Sequence, residues 1–310
     1  PSDIHYLFLT HAHIDHIGRV PELVMNGFDG EIITTHATKA IMECMLRDAL
    51  KFSELDLSRR EEQELLNTLD DLSWGFDYGK QYGLKSGINF TLGQTGHILG
   101  SCFIRFEWEN PAFSVVFSGD LGATNTPILP DPISPAPCDL LIMESTYGDH
   151  VHGDRVHRIH RLGQVLTKAL ADKGKVFIPA FSLGRTQELL YEMDRLFSDP
   201  AWRSEFPALN NARSQIPVFI DSPLGADITN IYSDLSQFWD TEAKELFSSL
   251  TLNVDRLIRL INQLLTFREL ESDTLRLSVS RERIDSIIEQ CCNSLSAYAR
   301  IKKITLVNNY

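Results

Sequence analysis

Thr10-His11-Ala12-His13-Ile14-Asp15-His16 is the stretch that decides how this chain reads. It follows the apolar run Ile4-His5-Tyr6-Leu7-Phe8-Leu9 and precedes a helix start marked by Pro21 and Glu22. Three imidazoles and a carboxylate packed this closely are costly to bury unless a cation gathers them. Imidazole is the commonest metal ligand in proteins and suits zinc. In an extended segment side chains repeat every two residues, so His11 and His13 point to one side and can hold one ion. Asp15 and His16, on the turn beyond, face a second position.

Working outward, two glycine-flanked turns add donors of the same kind. His97 lies in Gly96-His97-Ile98-Leu99-Gly100-Ser101, and Asp120 lies in Phe117-Ser118-Gly119-Asp120-Leu121-Gly122. Both stand at strand ends, where ligand sites gather in α/β chains. The first 250 residues alternate short apolar runs with amphipathic stretches, the pattern of strands and covering helices. Strands are expected at Ile4–Leu9, Glu31–Thr34, Ile88–Leu92, Cys102–Trp108, Ser114–Ser118, Leu140–Glu144, Lys175–Pro179 and Pro217–Ile220. Helices are expected at Thr38–Leu50, Glu54–Leu69, Val156–Lys173, Arg185–Phe197 and Asp227–Phe238, with a Pro-rich loop at Asn125–Pro137.

HxHxDH, GHILGS and SGDLG, in this order, resemble the metallo-β-lactamase superfamily. The resemblance implies His11, His13 and His97 on one zinc, Asp15 and His16 on a second, and Asp120 bridging both. Hydroxide held between two such ions is nucleophilic at neutral pH, because metal lowers the pKa of bound water.

Three later segments resemble the β-CASP branch of that superfamily, the RNA-processing nucleases. Leu141-Ile142-Met143-Glu144-Ser145-Thr146-Tyr147-Gly148-Asp149 is similar to its acidic motif and implies Glu144 as an acid orienting a ligand histidine. In Val176-Phe177-Ile178-Pro179-Ala180-Phe181-Ser182-Leu183-Gly184-Arg185 a strand, a small-residue loop and a helix start follow one another. Backbone N–H groups at such a start bind anions, and Ser182 and Arg185 would add donors to a phosphate. Asp221-Ser222-Pro223-Leu224-Gly225 repeats the logic with Ser222. The implied α/β fold is an incomplete metallo-β-lactamase αββα sandwich over residues 1–150, with a partial Rossmann-like β-CASP insertion over 151–250. Asp15, Asp120 and Glu144 would be the catalytic residues.

The family pattern also has members this sequence lacks. The last histidine is His160, so a later ligand of the second zinc is missing and that site is expected to be under-ligated. The chain starts at Pro1, on the first strand, and its natural start is expected upstream. Weak turnover is expected of the chain as it stands.

Beyond residue 250 the character changes. Val254, Leu257, Ile261 and Leu264 follow a 3-4-3 apolar spacing, a helix face suited to a partner helix and hence to a homodimer. Leu257–Leu270, Leu275-Arg276-Leu277 and Ile284–Ala299 resemble part of a sensor histidine kinase, the dimerisation helix running into the start of the ATP-binding domain. Residues 251–310 are therefore expected to be a C-terminal α-helical segment of different origin, which would make the chain a chimera.

Composition narrows the function classes. A hydrophobic share of 43% with 23% charged residues allows a buried core. No apolar run is long enough to cross a bilayer. Cys44, Cys102, Cys138, Cys291 and Cys292 have no CxxC spacing, which fits unpaired thiols and a cytoplasmic setting. The net charge of −13 argues against gripping a long duplex by its phosphates. The reading is a zinc-dependent hydrolase cutting phosphodiester bonds of RNA or single-stranded nucleic acid. The alternatives are a lactamase-fold thioesterase or lactonase and a non-catalytic helical dimerisation module.

Overall fold

The computed structural model describes residues 1–244, apart from positions 54, 56, 86, 154–156, 173–174, 213–215 and 217. Its layering follows from the two-residue period of the strand that precedes the histidine motif. In β1 (Tyr6–Phe8), Tyr6 and Phe8 join Ile33, Phe90, Leu92 and Ile104 in a core between two sheets. Leu7 and Leu9 turn the other way, to a larger core with Ile17, Ile32, Ile41 and Leu46.

The first sheet is parallel, in the order β1, β2 (Glu31–Thr35), β3 (Ser73–Phe76). On its helix-covered face lie α1 (Ile14–Ile17), α2 (Val20–Met25), α3 (His36–Leu50) and α4 (Arg59–Leu72). The second sheet runs β4 (Gln81–Gly83), β5 (Ile88–Gln94), β6 (Cys102–Glu109) and β7 (Ala112–Phe117), all antiparallel, with β8 (Leu140–Ile142) parallel to β7. Phe8 meets Phe90 and Phe106 edge-on at centroid distances of 5.1 and 4.7 Å, the favoured aromatic geometry.

Further helices follow among the described residues: α5 (Arg158–Asp172), α6 (Arg185–Ser198), α7 (Pro200–Glu205), α8 (Pro207–Ala212) and α9 (Pro223–Asp234), then a 3-10 turn at Ser236–Phe238. Ile159, Leu196, Phe206 and Leu209 form a small core among α5 to α8. Leu183, Ile228 and Tyr232 belong instead to the large core that also holds Leu9 and Ile41. Residues on both sides of position 150 thus share one apolar interior.

The α/β expectation holds, with several differences in detail. Lys175–Pro179 and the described part of Pro217–Ile220 form no strand. A strand exists only where a neighbour takes its backbone hydrogen bonds. Phe177 is 85% exposed, and among the described residues no strand pairs with this segment. The short strands β3 and β4 are additions. Trp74-Gly75 and Gln81–Gly83 carry too little β-branched character to announce themselves.

Helix starts move to the residues that cap them. α4 begins at Arg59, not Glu54, because Ser58 and Glu61 form a reciprocal capping box. Leu55 and Leu57, two apart, pack on the core from the segment before it. α9 begins at Pro223, not Asp227, because Ser222 Oγ accepts the Gly225 N–H at 2.9 Å. The helix expected over Val254–Leu265 and the kinase-like stretch at 251–310 lie outside the described residues.

Candidate metal centre

The chain leaves β1 extended, and Thr10 ties the first histidine to the strand end. Cys102 N–H donates to the Thr10 carbonyl at 2.9 Å, joining this turn to the start of β6. His11 is fully buried, and its Nδ1 lies 3.1 Å from Thr10 Oγ1. With the Nδ1 proton donated to that hydroxyl, Nε2 is left with a free lone pair. Nε2 has no hydrogen-bond partner although it is buried. An orphaned buried polar atom costs about 1–3 kcal/mol, so something else must account for it.

That atom faces three other donors. His11, His13, His97 and Asp120 bring one ligand atom each within 4.8 Å of one another. His97 Nε2 is 3.0 Å from His13 Nδ1 and 3.5 Å from Asp120 Oδ2, and His11 Nε2 is 3.7 Å from the same oxygen. Ligands about 2.0–2.1 Å from a tetrahedral ion stand roughly 3.3 Å apart, so these spacings fit a single cation. His16, whose ring centroid is 4.0 Å from that of His11, lies nearer the other oxygen of the carboxylate. Its Nε2 is 3.4 Å from Asp120 Oδ1 and 3.6 Å from Asp15 Oδ2. The two oxygens of Asp120 therefore face two different sets of histidines. Asp15 is largely exposed on the short helix α1.

Electrostatics keep the cluster ready to bind. Burial, and then the charges of His16, His13 and His97, push the His11 pKa down to about 2. Burial also lowers His13 and His97; neighbouring His97 adds to the effect at His13. Neutral imidazole is the form that binds metal.

The supporting loops come from separate elements. Gly122 N–H donates to the Thr95 carbonyl at 2.8 Å, and a Cβ on Gly122 would sit 2.0 Å from the Gly96 oxygen. Only glycine allows the Asp120 turn to lie this close to the His97 turn. Glu144 Oε1 accepts the Leu121 N–H at 2.6 Å, next to Asp120, and Glu144 N–H donates to Ser118 Oγ at 3.0 Å. Burial alone would raise the Glu144 pKa; hydrogen bonds from Leu121 and Thr146 outweigh it and hold the carboxyl below the usual range.

Ser182 and Ser222 meet, with hydroxyl oxygens 3.1 Å apart, at the starts of α6 and α9. Gln187, buried on α6, ties the segment before α6 to the middle of α9 through Ser182 O and Thr229 Oγ1, both 3.0 Å from its Nε2. Arg185 pairs with Glu188 at 2.7 Å, and its charge also reaches His97. Thr35 and Thr38, bonded to Gly100 in the His97 turn, Ser101, bonded to the His97 N–H, and Gln187 carry no site reading from the sequence. The signal was there for Thr35, a hydroxyl residue directly before a helix.

Comparison with known proteins gives the same direction. The family model of the Metallo-beta-lactamase superfamily matches residues 1–180, and that of the Beta-Casp domain matches 186–297. The second match covers most of the stretch with the kinase likeness, for which these findings give no support. A ribonuclease of Thermus thermophilus is 33% identical over 80% of this chain and 53% of its own length. The endoribonuclease YSH1 of Candida glabrata is 30% identical over 79% of this chain and 32% of its own. Cleavage and polyadenylation specificity factor 73 of Drosophila melanogaster is 31% identical over 74% of this chain and 32% of its own. The chain thus spans from about a third to about half of the length of these relatives.

Proposed function

The chain belongs to the metallo-beta-lactamase superfamily, with a Beta-Casp domain following, and from that premise we propose that it hydrolyses phosphodiester bonds of RNA as a zinc-dependent endonuclease. The observation that carries this is the split of Asp120, with Oδ2 toward His11 and His97 and Oδ1 toward His16. One carboxylate set between two groups of donors suits a pair of cations, and we assign the second position to Asp15, His16 and Asp120. Zinc suits a set of imidazoles and carboxylates. When bound, the metal pair supplies an activated water and neutralises charge on the phosphate.

The remaining work falls to side chains. His11, His13 and His97 stay neutral and present lone pairs. Glu144 fixes the backbone beside Asp120, a supporting role for a catalytic carboxylate. Ser182, Ser222 and the α6 start can donate to a phosphate, with Arg185 adding charge near His97. The acidic total charge favours a single-stranded substrate held locally over a long duplex. Unpaired Cys44, Cys102 and Cys138 support a reducing compartment such as the cytoplasm. Among the described residues no helix is long and apolar enough to cross a membrane.

The test is metal content and cleavage on one preparation. Elemental analysis of the purified chain should give about two zinc per chain, falling in Asp120→Ala. Cleavage of a labelled single-stranded RNA should fall by more than about a hundredfold, since even an outer partner of a metal ligand is worth 10- to 100-fold. A wild type without metal, or RNA cleavage indifferent to Asp120→Ala, sinks the reading. Faster turnover of a thioester than of RNA would favour the thioesterase alternative.

A further inference from the structure

The turn that carries His97 is gripped from behind by residues that touch none of the candidate ligands. Thr35 ends β2 and caps α3, its Oγ accepting the Thr38 N–H at 3.1 Å. Thr35 Oγ also lies 2.7 Å from the Gly100 carbonyl oxygen, and Thr38 Oγ lies 2.9 Å from the same atom. Each hydroxyl has one proton to give, and a carbonyl oxygen has two lone pairs. The Thr38 proton goes to Gly100, and the Thr35 proton goes either to Gly100 or to Thr38 Oγ, 3.0 Å away; both arrangements tie the hydroxyl pair to that carbonyl. All of these groups are buried, where an unmade hydrogen bond is expensive.

The far side of the same turn is held just as fully. Ser101 Oγ accepts the N–H of His97 at 3.0 Å and of Ile98 at 3.2 Å. Tyr78 donates its hydroxyl to the Ser101 carbonyl at 3.0 Å. Gly100 has a φ of +90°, and a Cβ there would meet Thr38 N at 2.5 Å, so the turn can seat on α3 only with glycine.

We propose that the Thr35–Thr38 hydroxyl pair, acting through Gly100 and Ser101, is a positioning device that fixes where His97 stands relative to His13 and Asp120. This rests on the metal reading of His97. The consequence is a predicted division of labour. The hydroxyls set metal affinity, while the methyl groups of the same threonines contribute only packing.

The experiment is cobalt(II) binding by the full chain, followed by visible absorption, alongside thermal unfolding. Thr38→Val removes one donor and leaves the Thr35 cap in place. It should weaken cobalt binding by about tenfold or more and alter the absorption bands, in line with the worth of outer-sphere partners. Thr38→Ser, which keeps the hydroxyl, should bind within about twofold of wild type. Ile41→Val, one turn along α3 and buried, supplies a packing loss of similar size and should leave affinity and spectrum unchanged. Ser101→Ala, which removes the acceptor at the other end, should repeat the loss seen in Thr38→Val and serves if that variant does not fold. Wild-type affinity in a folded Thr38→Val or Ser101→Ala overturns the clamp alone. A wild-type chain that takes up no cobalt overturns the metal reading and the clamp with it.

Discussion

The two strand–turn regions of this molecule begin from similar sequence and end differently. Ile4–Leu9 and Val176–Pro179 are both short apolar runs that lead into a loop carrying functional side chains. The first becomes β1, paired with β2, with Phe8 opposite Ile33. The second forms no strand among the described residues and leaves Phe177 in solvent, although α6 forms after the short loop that follows it. A helix meets its own backbone hydrogen bonds, so α6 and α9 need only a cap and an apolar face. A strand borrows its bonds from a neighbour. Sequence can therefore place a helix by itself but places a strand only together with its partner.

The largest test of this contrast is Phe90→Ala. Phe90 is buried between the sheets against Phe8, Phe76 and Tyr82, and its loss should cost about 3–5 kcal/mol in chemical denaturation. A cost below about 1 kcal/mol would mean that the sandwich is not the stable half. Next in size is Ser222→Ala, which removes the cap of α9 and should cost about 1 kcal/mol. An unchanged midpoint would show that tertiary packing alone starts α9. Smallest is Phe177→Ala, expected within about 0.5 kcal/mol of the parent. A larger loss would show that this run is packed in solution and would dissolve the comparison. Amide exchange offers a sharper version. Protection should be high in β5 and β6 and low at Val176–Ile178.

The metal cluster was legible for the same reason that β1 was. His11 and His13 are local in sequence, so a two-residue period suffices to bring them to one side. His97 and Asp120 stood out only as donors in glycine turns, and their meeting depends on the Gly122–Gly96 contact, which is set by packing. In the sequence Ser182 and Ser222 read as donors at two separate helix starts. Their meeting goes with Gln187, whose amide bonds Ser182 O on one side and Thr229 of α9 on the other, 42 residues away in the chain. The Thr35 bond to Gly100 has no local signature, because threonine before a helix reads as a cap and nothing more. Its second bond runs to a carbonyl 65 residues away, which no local pattern encodes.

The shared interior has a thermal consequence. Leu183, Ile228 and Tyr232 lie in one buried cluster with Leu9, Ile17 and Ile41, and Tyr232 also holds the Leu99 N–H beside His97. Melting the α6–α9 part exposes the same apolar surface that melting the first sheet would. Residues 1–244 should then lose heat-labile structure in a single calorimetric peak, with calorimetric and van't Hoff enthalpies in agreement.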